Sequence, residues 1–474
     1  MENKTKIVAT IGPASNTKTV LKKLISAGLS VARLNFSHGT YKQHGEVIKI
    51  IRSLSKEMKR PIGILLDLQG PKIRTGKLVD HQPVILKSKS IFKITSDDVP
   101  GTNKIVSTTY KNLPKDVKKG DKILIDDGLI ELCVTAKNKN TVTSKVIVGG
   151  FLKENKGINL PGVKVSAPSL TEKDIKDLKF GIKSKVDYFA LSFVRTHKDL
   201  EFIKSIIKKQ NADIPVIAKI EKPDAVENID KIIEIADAIM VARGDLGVEM
   251  MPELVPTIQK TIIRKAIYAN KPVITATQML ETMCTNPIPT RAEASDVANA
   301  IFDGTDAVML SAETAVGKYP VEAVKMMSRI ICQSETSPFM NYNLQHEKDT
   351  SNLVVHAIAQ SAVNIHREVD AKAIIAFSVS GKTTKLISKQ RPASPVYAFS
   401  PSRTIYNRLS LMWGVTPLLI DPIDDSMGLI MEAERILFAK KYIKKNNLVI
   451  IVTGLALTKG STNLIKLHTI GRDD

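Results

Sequence analysis

The chain of 474 residues is too long for one hydrophobic core, so two to four domains are expected. Its hydrophobic fraction of 43% and charged fraction of 25% are ordinary for a folded protein and exclude a disordered chain. Lys and Arg number 69 against 48 Asp and Glu, which gives a net charge of +21. Three widely spaced cysteines, Cys133, Cys284 and Cys332, exclude a disulfide scaffold and a zinc ribbon.

Targeting signals are not evident. No apolar run approaches the roughly 20 residues that span a bilayer, and the first residues, MENKTKIVATIGP, have too short an apolar stretch for a signal peptide. We therefore expect a cytoplasmic protein with no membrane partner. The positive charge leaves open a nucleic-acid-binding protein and an enzyme for small anions. An aromatic fraction of 5% with one Trp offers few base-stacking side chains and favours the enzyme.

Short apolar runs alternate with amphipathic helical stretches in the first and middle thirds, which is typical of βαβ units. Eight strands are predicted, at Ile7–Thr10, Val31–Phe36, Gly63–Asp67, Tyr188–Phe193, Val216–Ile220, Ala238–Ala242, Val273–Ala276 and Ala307–Leu310. They indicate a closed (β/α)₈ TIM barrel formed by residues 1–70 and 168–344. Because such barrels carry their active sites at the strand C-termini, polar residues there are functional candidates.

Residues 71–167 break this pattern. Alternating runs such as Lys122–Ile125 and Thr141–Ile147 predict a small inserted β-barrel domain. It contains 18 Lys and Arg and 9 Asp and Glu, a net charge of 18 − 9 = +9, so we expect a basic lid for an anionic ligand.

Residues 345–474 predict a third domain, an open α/β unit. Its predicted elements are a helix at Asn352–Arg367 and strands at Ala373–Phe377, Val396–Phe399, Thr416–Ile420 and Leu448–Thr453.

Lys219 and Glu221 end the fifth predicted strand. Because residues i and i+2 of a strand share a face, both side chains are expected at the barrel mouth. Asp245 follows the next strand on a glycine turn and forms with Glu221 an oxygen-rich pair that suits Mg²⁺ or Mn²⁺. Lys219 supplies positive charge for a phosphoryl or enolate oxygen. A structural ion pair at the barrel rim is the alternative.

The second strand carries Arg33, whose forked donors suit a phosphate, and Arg74 near the start of the insertion can supply a second fork. His38 is not expected to act as a base, because a lone histidine at a strand end is more often structural. Further polar groups that suit a monovalent cation or a nucleotide phosphate are Asn35, Ser37, His38 and Asp67.

Thr277 ends the seventh predicted strand, where its hydroxyl can relay a proton or orient a water; a helix cap is the alternative. In the third domain, Ser378–Thr384 follows a strand and opens a helix. It nearly matches the GxxxxGK[ST] pattern, but Ala376 stands at the first glycine position. We expect a phosphate-binding loop for an effector, with a plain helix cap as the alternative. Its candidate residues are Ser378, Ser380, Gly381, Lys382 and Thr383.

Seven segments resemble the pyruvate kinase family, and they occur in that family's order over residues 1–320. They are Thr10–Ser15, Arg33–Gly39, Leu66–Gly76, Ala218–Glu221, Met240–Glu249, Ala276–Glu281 and Met309–Thr314. The insertion and the C-terminal domain resemble the family's B and C domains, so the resemblance covers essentially the whole chain.

The resemblance implies transfer of the phosphoryl group of phosphoenolpyruvate to ADP, the last step of glycolysis, by a homotetramer. It implies that Glu221 and Asp245 hold Mg²⁺ (or Mn²⁺) and that Lys219 neutralises the phosphoryl group in flight. The residues implied to bind phosphates or substrate are Arg33, Arg74, Gly244, Asp245 and Thr277.

Potassium-dependent members of the family read Leu-Asp-Thr-Lys-Gly-Pro-Glu where this chain has Leu66 to Lys72. Leu68 replaces the potassium-associated Thr, and Lys72 replaces the Glu. Because the Lys72 ammonium can take the cation's electrostatic role, we expect activity without potassium. Asn35, Ser37 and Asp67 remain, which leaves a vestigial cation site possible.

The loop at Ser378–Thr384 matches the family's allosteric phosphate pocket. The segment Thr453–Thr462 lacks the Trp and Arg of fructose-1,6-bisphosphate-activated relatives, so a sugar monophosphate or AMP is the expected effector. Two alternative functions stay open: another (β/α)₈ enzyme of phosphoenolpyruvate or pyruvate, such as an aldolase or lyase, and a nucleic-acid-binding protein.

Overall fold

The computed structural model describes residues 3–340, 346–347, 353–423, 425–454 and 462–472. Before the insertion, three strands alternate with two helices: β1 (Lys6–Thr10), α1 (Lys18–Ala27), β2 (Leu29–Asn35), α2 (Tyr41–Glu57) and β3 (Gly63–Asp67).

Two small sheets make up the insertion. The first pairs β4 (Val84–Leu86) with β10 (Gly150–Leu152). The second has six strands, β5 (Ile91–Thr95), β6 (Ile105–Ser107), β7 (Lys122–Ile125), β8 (Ile130–Lys137), β9 (Thr141–Val148) and β11 (Ile158–Asn159), and a one-turn helix, α3 (Leu113–Asp116), precedes β7. This domain has its own apolar core, which includes Phe92, Ile123, Leu132 and Val146.

Five more strands complete the barrel: β12 (Tyr188–Leu191), β13 (Val216–Ile220), β14 (Ala238–Ala242), β15 (Val273–Ala276) and β16 (Ala307–Leu310). The closed barrel runs in the order β1-β16-β15-β14-β13-β12-β3-β2, and its pairs are parallel, so the predicted TIM barrel is confirmed. The helices of this half are α4 (Glu172–Lys183), α5 (His197–Lys209), α6 (Pro223–Glu227), α7 (Ile229–Ile235), α8 (Arg243–Glu249), α9 (Val255–Tyr268), α10 (Arg291–Phe302), α11 (Ala312–Ala315) and α12 (Pro320–Glu335).

Two apolar layers hold the barrel together. Outward-facing strand residues such as Ile64, Leu66 and Val308 pack against the surrounding helices, while a smaller interior cluster includes Leu65 and Ile217. Burial on both faces explains why the strands read as nearly continuous apolar runs. Among the described residues, none of the helices is long and apolar enough to cross a membrane.

The C-terminal domain has helices α13 (Leu353–Val369), α14 (Lys382–Lys389), α15 (Arg403–Arg408) and α16 (Ser426–Ala439), and strands β17 (Ala373–Phe377), β18 (Val396–Ser400), β19 (Val415–Leu419), β20 (Leu448–Gly454) and β21 (Thr462–Thr469). The strand order is β19-β18-β17-β20-β21. The sequence analysis missed β21, which runs antiparallel to β20 at the edge of the sheet. Residues 455–461, within the segment compared with fructose-1,6-bisphosphate-activated relatives, and the predicted 344/345 boundary lie outside the described residues.

The C-terminal domain packs against the N-terminal ends of the barrel strands. Ser410 Oγ accepts a hydrogen bond from the Gly63 amide at 3.0 Å, and Lys6 Nζ donates to the Val415 carbonyl at 2.8 Å. At the same interface, buried Lys389 pairs with Asp306, the residue before β16. The C-terminal domain therefore covers one end of the barrel. The insertion begins after β3, at the opposite end, where the barrel strands have their C-termini.

Candidate active site at the barrel mouth

Arg33, Asp67 and Lys219 meet at the C-terminal ends of three barrel strands. Arg33 Nε and Nη2 lie 2.8 and 2.5 Å from Asp67 Oδ2, and Lys219 Nζ lies 3.4 Å from Asp67 Oδ1. Thr10 Oγ1 accepts a third bond from Arg33 Nη1 at 2.8 Å. Although its burial opposes ionisation, the positive charges of Lys219 and Arg33 hold the pKa of the Asp67 carboxyl below its usual value.

Lys219 is the centre of this cluster. Its ammonium lies 2.7 Å from both Ser192 Oγ and Glu221 Oε1. Burial alone would lower the pKa of Lys219, but the carboxylates of Asp67 and Glu221 outweigh burial and raise it. The cluster therefore places a permanently charged ammonium, about nine-tenths buried, where the strands open toward the insertion.

Glu221 faces the same space as Asp245. Its Oε2 accepts a hydrogen bond from the Phe193 amide at 2.7 Å, which fixes the carboxylate. Burial, with a contribution from the negative charge of Asp245, raises the pKa of Glu221. The described residues contain no group of three or more His, Cys, Asp and Glu arranged to hold a metal. Two carboxylates fit a magnesium-type ion that takes its remaining ligands from substrate oxygens and water.

Thr277 is joined directly to the turn that carries Asp245. The Gly244 amide donates to Thr277 Oγ1 at 2.7 Å, and a Cβ at Gly244 would stand only 3.4 Å from that hydroxyl. Thr277 thus accepts a hydrogen bond from an amide in the first turn of α8, which lies 33 residues earlier in the chain. The same bond also places the hydroxyl beside the predicted metal ligand.

Lys72 and Arg74 stand where the chain enters the insertion. Arg74 pairs with Gly157 in an isolated β-bridge, so the entering and returning segments run side by side, and its Nη1 donates to the Asn155 carbonyl at 3.0 Å. His38 lies largely at the surface, and its pKa is lowered by partial desolvation of the ring and by the nearby positive charges of Arg74, Lys72 and Arg33. The three cations therefore share one region above the strand ends.

Asn35 and Ser37 form a local turn, since Asn35 Oδ1 accepts from the Ser37 amide at 3.1 Å. The expectation for Leu68 considered only its side chain, which has no oxygen that could coordinate a cation. Its side chain is buried in the apolar layer outside the barrel, while its carbonyl oxygen accepts from Ser192 Oγ at 2.7 Å. A backbone oxygen at residue 68 is therefore present whatever the side chain, and the argument about potassium depends on Lys72.

The expected effector loop lies in the C-terminal domain, at the opposite end of the barrel. Gly381 adopts a left-handed conformation (φ 80°) and begins α14, and its amide donates to Ser378 Oγ at 3.0 Å. Thr383 is buried and its hydroxyl pairs with Thr462 at 2.8 Å. Ser380 and Lys382 keep the more exposed positions of the loop.

Sequence reasoning missed several residues that organise the site. Ser192 bonds to Lys219, Arg243 binds the carbonyls around Thr277, and buried Glu313 accepts hydrogen bonds from Leu280 and Ser311. All three were visible as polar residues next to strand ends. Nothing in a single sequence distinguished a group that contacts ligand from one that supports a loop.

These features define a class, a (β/α)₈-barrel protein with clustered cations and two neighbouring carboxylates at its strand C-termini and a basic inserted domain next to them. The family model described as pyruvate kinase, barrel domain, matches residues 2–324, and the model for the pyruvate kinase alpha/beta domain matches residues 356–468. The chain belongs to the pyruvate kinase family. It is therefore a phosphotransferase, and the family implies phosphoenolpyruvate and ADP as substrates and dependence on a divalent metal.

Similar proteins support this assignment along the full length. Pyruvate kinase from Corynebacterium glutamicum is 45% identical over 474 residues, with 100% of this chain and 99% of the relative covered. The Geobacillus stearothermophilus enzyme is 46% identical over 475 residues, covering 99% of this chain and 81% of the relative. A crystal structure of a Cryptosporidium parvum pyruvate kinase superposes with a TM-score of 0.91 at 38% identity, covering 99% of this chain and 96% of the other.

Proposed function

We propose that Lys219 is the group that neutralises the phosphoryl group as it passes from phosphoenolpyruvate to ADP. The observation that carries this proposal is the buried ammonium bonded to Ser192 and Glu221 at the strand ends. In phosphoryl transfer the protein contributes mainly positioning and charge, so a preorganised cation in a water-poor site is worth more than one in solvent.

Glu221 and Asp245 hold the divalent ion, Mg²⁺ or Mn²⁺. The ion supplies charge neutralisation for the substrate's oxygens when bound. Arg33 and Arg74 bind phosphate oxygens, and Gly244 and Thr277 contact the substrate. Because the Gly244 amide is bonded to Thr277, a substrate carboxylate that uses this amide has to share or displace the hydroxyl.

The first test is pyruvate formation from phosphoenolpyruvate and ADP with Mg²⁺. Lys219→Met is expected to lower kcat by about 10²- to 10³-fold. The control is Lys204→Met, which removes a lysine paired with Asp237 at the opposite end of the barrel. Wild-type protein that is folded but inactive with both substrates would favour the aldolase or lyase alternative.

The second proposal is that the protein is active without potassium, because the Lys72 ammonium takes the electrostatic role of the cation. Among the described residues, no ion pair or side-chain hydrogen bond engages its ammonium, which shares its region with Arg74 and His38. Turnover is to be compared with and without potassium over a tetramethylammonium background. Wild-type activity is expected in both buffers, and Lys72→Glu is expected to be active only with potassium. Wild-type activity confined to the potassium buffer would contradict the proposal.

The third proposal is regulation of a cytoplasmic homotetramer by a phosphorylated metabolite, a sugar monophosphate or AMP, bound at the C-terminal domain. The effector proposal is supported by exposed Ser380 and half-buried Lys382 at the N-terminus of α14. The assembly proposal is supported by exposed apolar residues on the barrel and on α16. Those residues are Ile288, Val316 and Phe339 on the barrel, and Met431 and Phe438 on α16. Light scattering tests the assembly, and the effector response should be lost in Lys382→Ala while basal turnover is kept.

A further inference from the structure

The loop after β15 contains two successive strained residues. Thr277 and Gln278 have φ of +69° and +54°, a left-handed conformation that glycine adopts freely and other residues seldom do. A β-branched residue such as Thr277 is especially unfavourable there, and such strain persists only where surrounding groups impose it. The groups that impose it are thus part of how the Thr277 hydroxyl is placed.

Arg243 is the main group that imposes the left-handed conformation at Thr277 and Gln278. Its Nη2 donates to the Thr277 carbonyl at 2.7 Å and to the Gln278 carbonyl at 3.2 Å, and its Nε lies 3.3 Å from the Ala276 carbonyl. Its Nη1 donates to Asp296 Oδ1 at 2.7 Å, and its side chain is 11% exposed. One rigid guanidinium therefore binds three consecutive carbonyls, which a flexible lysine cannot reproduce.

The same arginine belongs to the turn that carries the other half of the site. Arg243, Gly244 and Asp245 are consecutive, and the Gly244 amide donates to Thr277 Oγ1. On the far side of the loop, Glu313 Oε1 accepts from the Leu280 amide at 3.1 Å. The loop is thus fixed at both ends, with Arg243 linking it to the segment of Asp245.

We propose that Arg243 is a positioning residue for the proton-transfer half of the reaction, holding Thr277 so that its hydroxyl faces the substrate. In that half, the enolate carbon gains one solvent-derived proton, a C–H bond forms and pyruvate results. This inference rests on the proposed role of Thr277. The phosphoryl half depends on Lys219, which does not contact Arg243, so the two halves should respond differently to substitution.

The test measures the reverse of the proton step, the exchange of pyruvate methyl protons with solvent deuterium, followed by NMR with Mg²⁺ and ATP. Arg243→Lys keeps the charge and loses the fork, and it is expected to slow exchange by about 10²-fold, with a smaller change in KM for phosphoenolpyruvate. The matched control is Arg52→Lys. Arg52 binds the carbonyls of Ile62 and Lys185 and the carboxylate of Asp187 at the opposite barrel end.

A second variant separates positioning from a general loss of structure. Gln278→Gly removes the backbone strain at one of the two residues, so adding it to Arg243→Lys should recover part of the lost exchange. If Arg243→Lys does not fold, Asp296→Asn, which weakens only the outer anchor of the guanidinium, should slow exchange to a smaller degree. Exchange in Arg243→Lys equal to that of Arg52→Lys, or no recovery with Gln278→Gly, would overturn the inference.

The variant Thr277→Val distinguishes a failure of this inference from a failure of the proposed role of Thr277, on which the inference rests. If Thr277→Val leaves exchange unchanged, the assigned role of Thr277 is wrong and the inference falls with it. If Thr277→Val slows exchange and Arg243→Lys does not, only the positioning role of Arg243 is wrong.

Discussion

Asp67 balances two cations at once: its Oδ2 pairs with the Arg33 guanidinium and its Oδ1 lies 3.4 Å from the Lys219 ammonium. All three side chains are about nine-tenths buried or more, so neither cation can replace this partner with water. A carboxylate from the third strand therefore compensates both buried cations, and for Lys219 it does so together with Glu221.

Asp67→Asn should therefore destabilise the fold as well as reduce activity. Removing one member of a buried ion pair typically costs about 3–5 kcal/mol, because the remaining charge is left without compensation. We expect a loss of this size in the apparent free energy of unfolding in urea. The control, Asp370→Asn, breaks an exposed pair with Lys372 and should have no measurable effect. Equal stability of the two variants would contradict the balancing role of Asp67.

Metal binding should depend on substrate, since two carboxylates are too few ligands for a divalent ion. We expect phosphoenolpyruvate to strengthen Mn²⁺ binding, measured by electron paramagnetic resonance of free Mn²⁺. Glu221→Gln should weaken Mn²⁺ binding by about tenfold or more, because removing even an outer-shell partner of a metal ligand lowers metal affinity by at least about tenfold. Glu234→Gln, an exposed carboxylate on α7, is the control. Equal Mn²⁺ affinity with and without phosphoenolpyruvate would count against this site.

The barrel was largely predictable because buried parallel strands are apolar along their whole length. Five of the eight, including Gly63–Asp67 and Val216–Ile220, begin and end at the predicted residues. The fourth ends two residues early, at Leu191, because Phe193 adopts a left-handed conformation (φ 54°) that no strand accommodates. Sequence periodicity carries no information about such single-residue backbone changes.

The candidate site was predictable where residue spacing fixes a face, as for Lys219 and Glu221. It was not predictable where the contacts are long-range. The carbonyls around Thr277 bind Arg243, 34 residues away along the chain, and the Ser192 hydroxyl bonds to Lys219. Neither pairing leaves a local signal, because the partners are far apart in the chain: the Arg243 bond goes to backbone carbonyls, which any residue supplies, and the Ser192–Lys219 bond joins two side chains 27 residues apart.

The returning segment of the lid is fixed to the barrel by Arg195. Its Nη1 and Nη2 donate to the carbonyls of Val165 and Ala167 at 2.6 and 2.9 Å. Arg195→Lys cannot make both bonds in the same geometry. We expect faster amide hydrogen exchange in residues 158–167 and a higher KM for ADP, with the barrel's own exchange unchanged. Arg52→Lys serves again as the control. If amide exchange in residues 158–167 is no faster in Arg195→Lys than in this control, Arg195 does not fix the returning segment to the barrel.

Lys389 provides the pH dependence that is easiest to isolate, because it lies at the domain interface, far from the metal ligands. It is fully buried beside Asp306 and Arg391, with Lys385 on the same helix and His346 nearby. Burial lowers the pKa of Lys389 to about 8, although Asp306 opposes the shift and Arg391 adds to it.

Because this pKa is below the unfolded value of 10.5, the folded protein releases the proton first as pH rises. Between pH 8 and 10.5 the unfolded chain holds more protons than the folded one, so the Lys389 contribution to stability should increase with pH. Lys389→Met should abolish that increase and leave stability at pH 7 unchanged or higher, because Asp306 keeps Arg391 as its partner. Thermal denaturation from pH 7 to 10.5, with Lys372→Met as an exposed control, measures both effects. If the stability of Lys389→Met increases with pH as much as that of the wild type, groups other than Lys389 cause the increase.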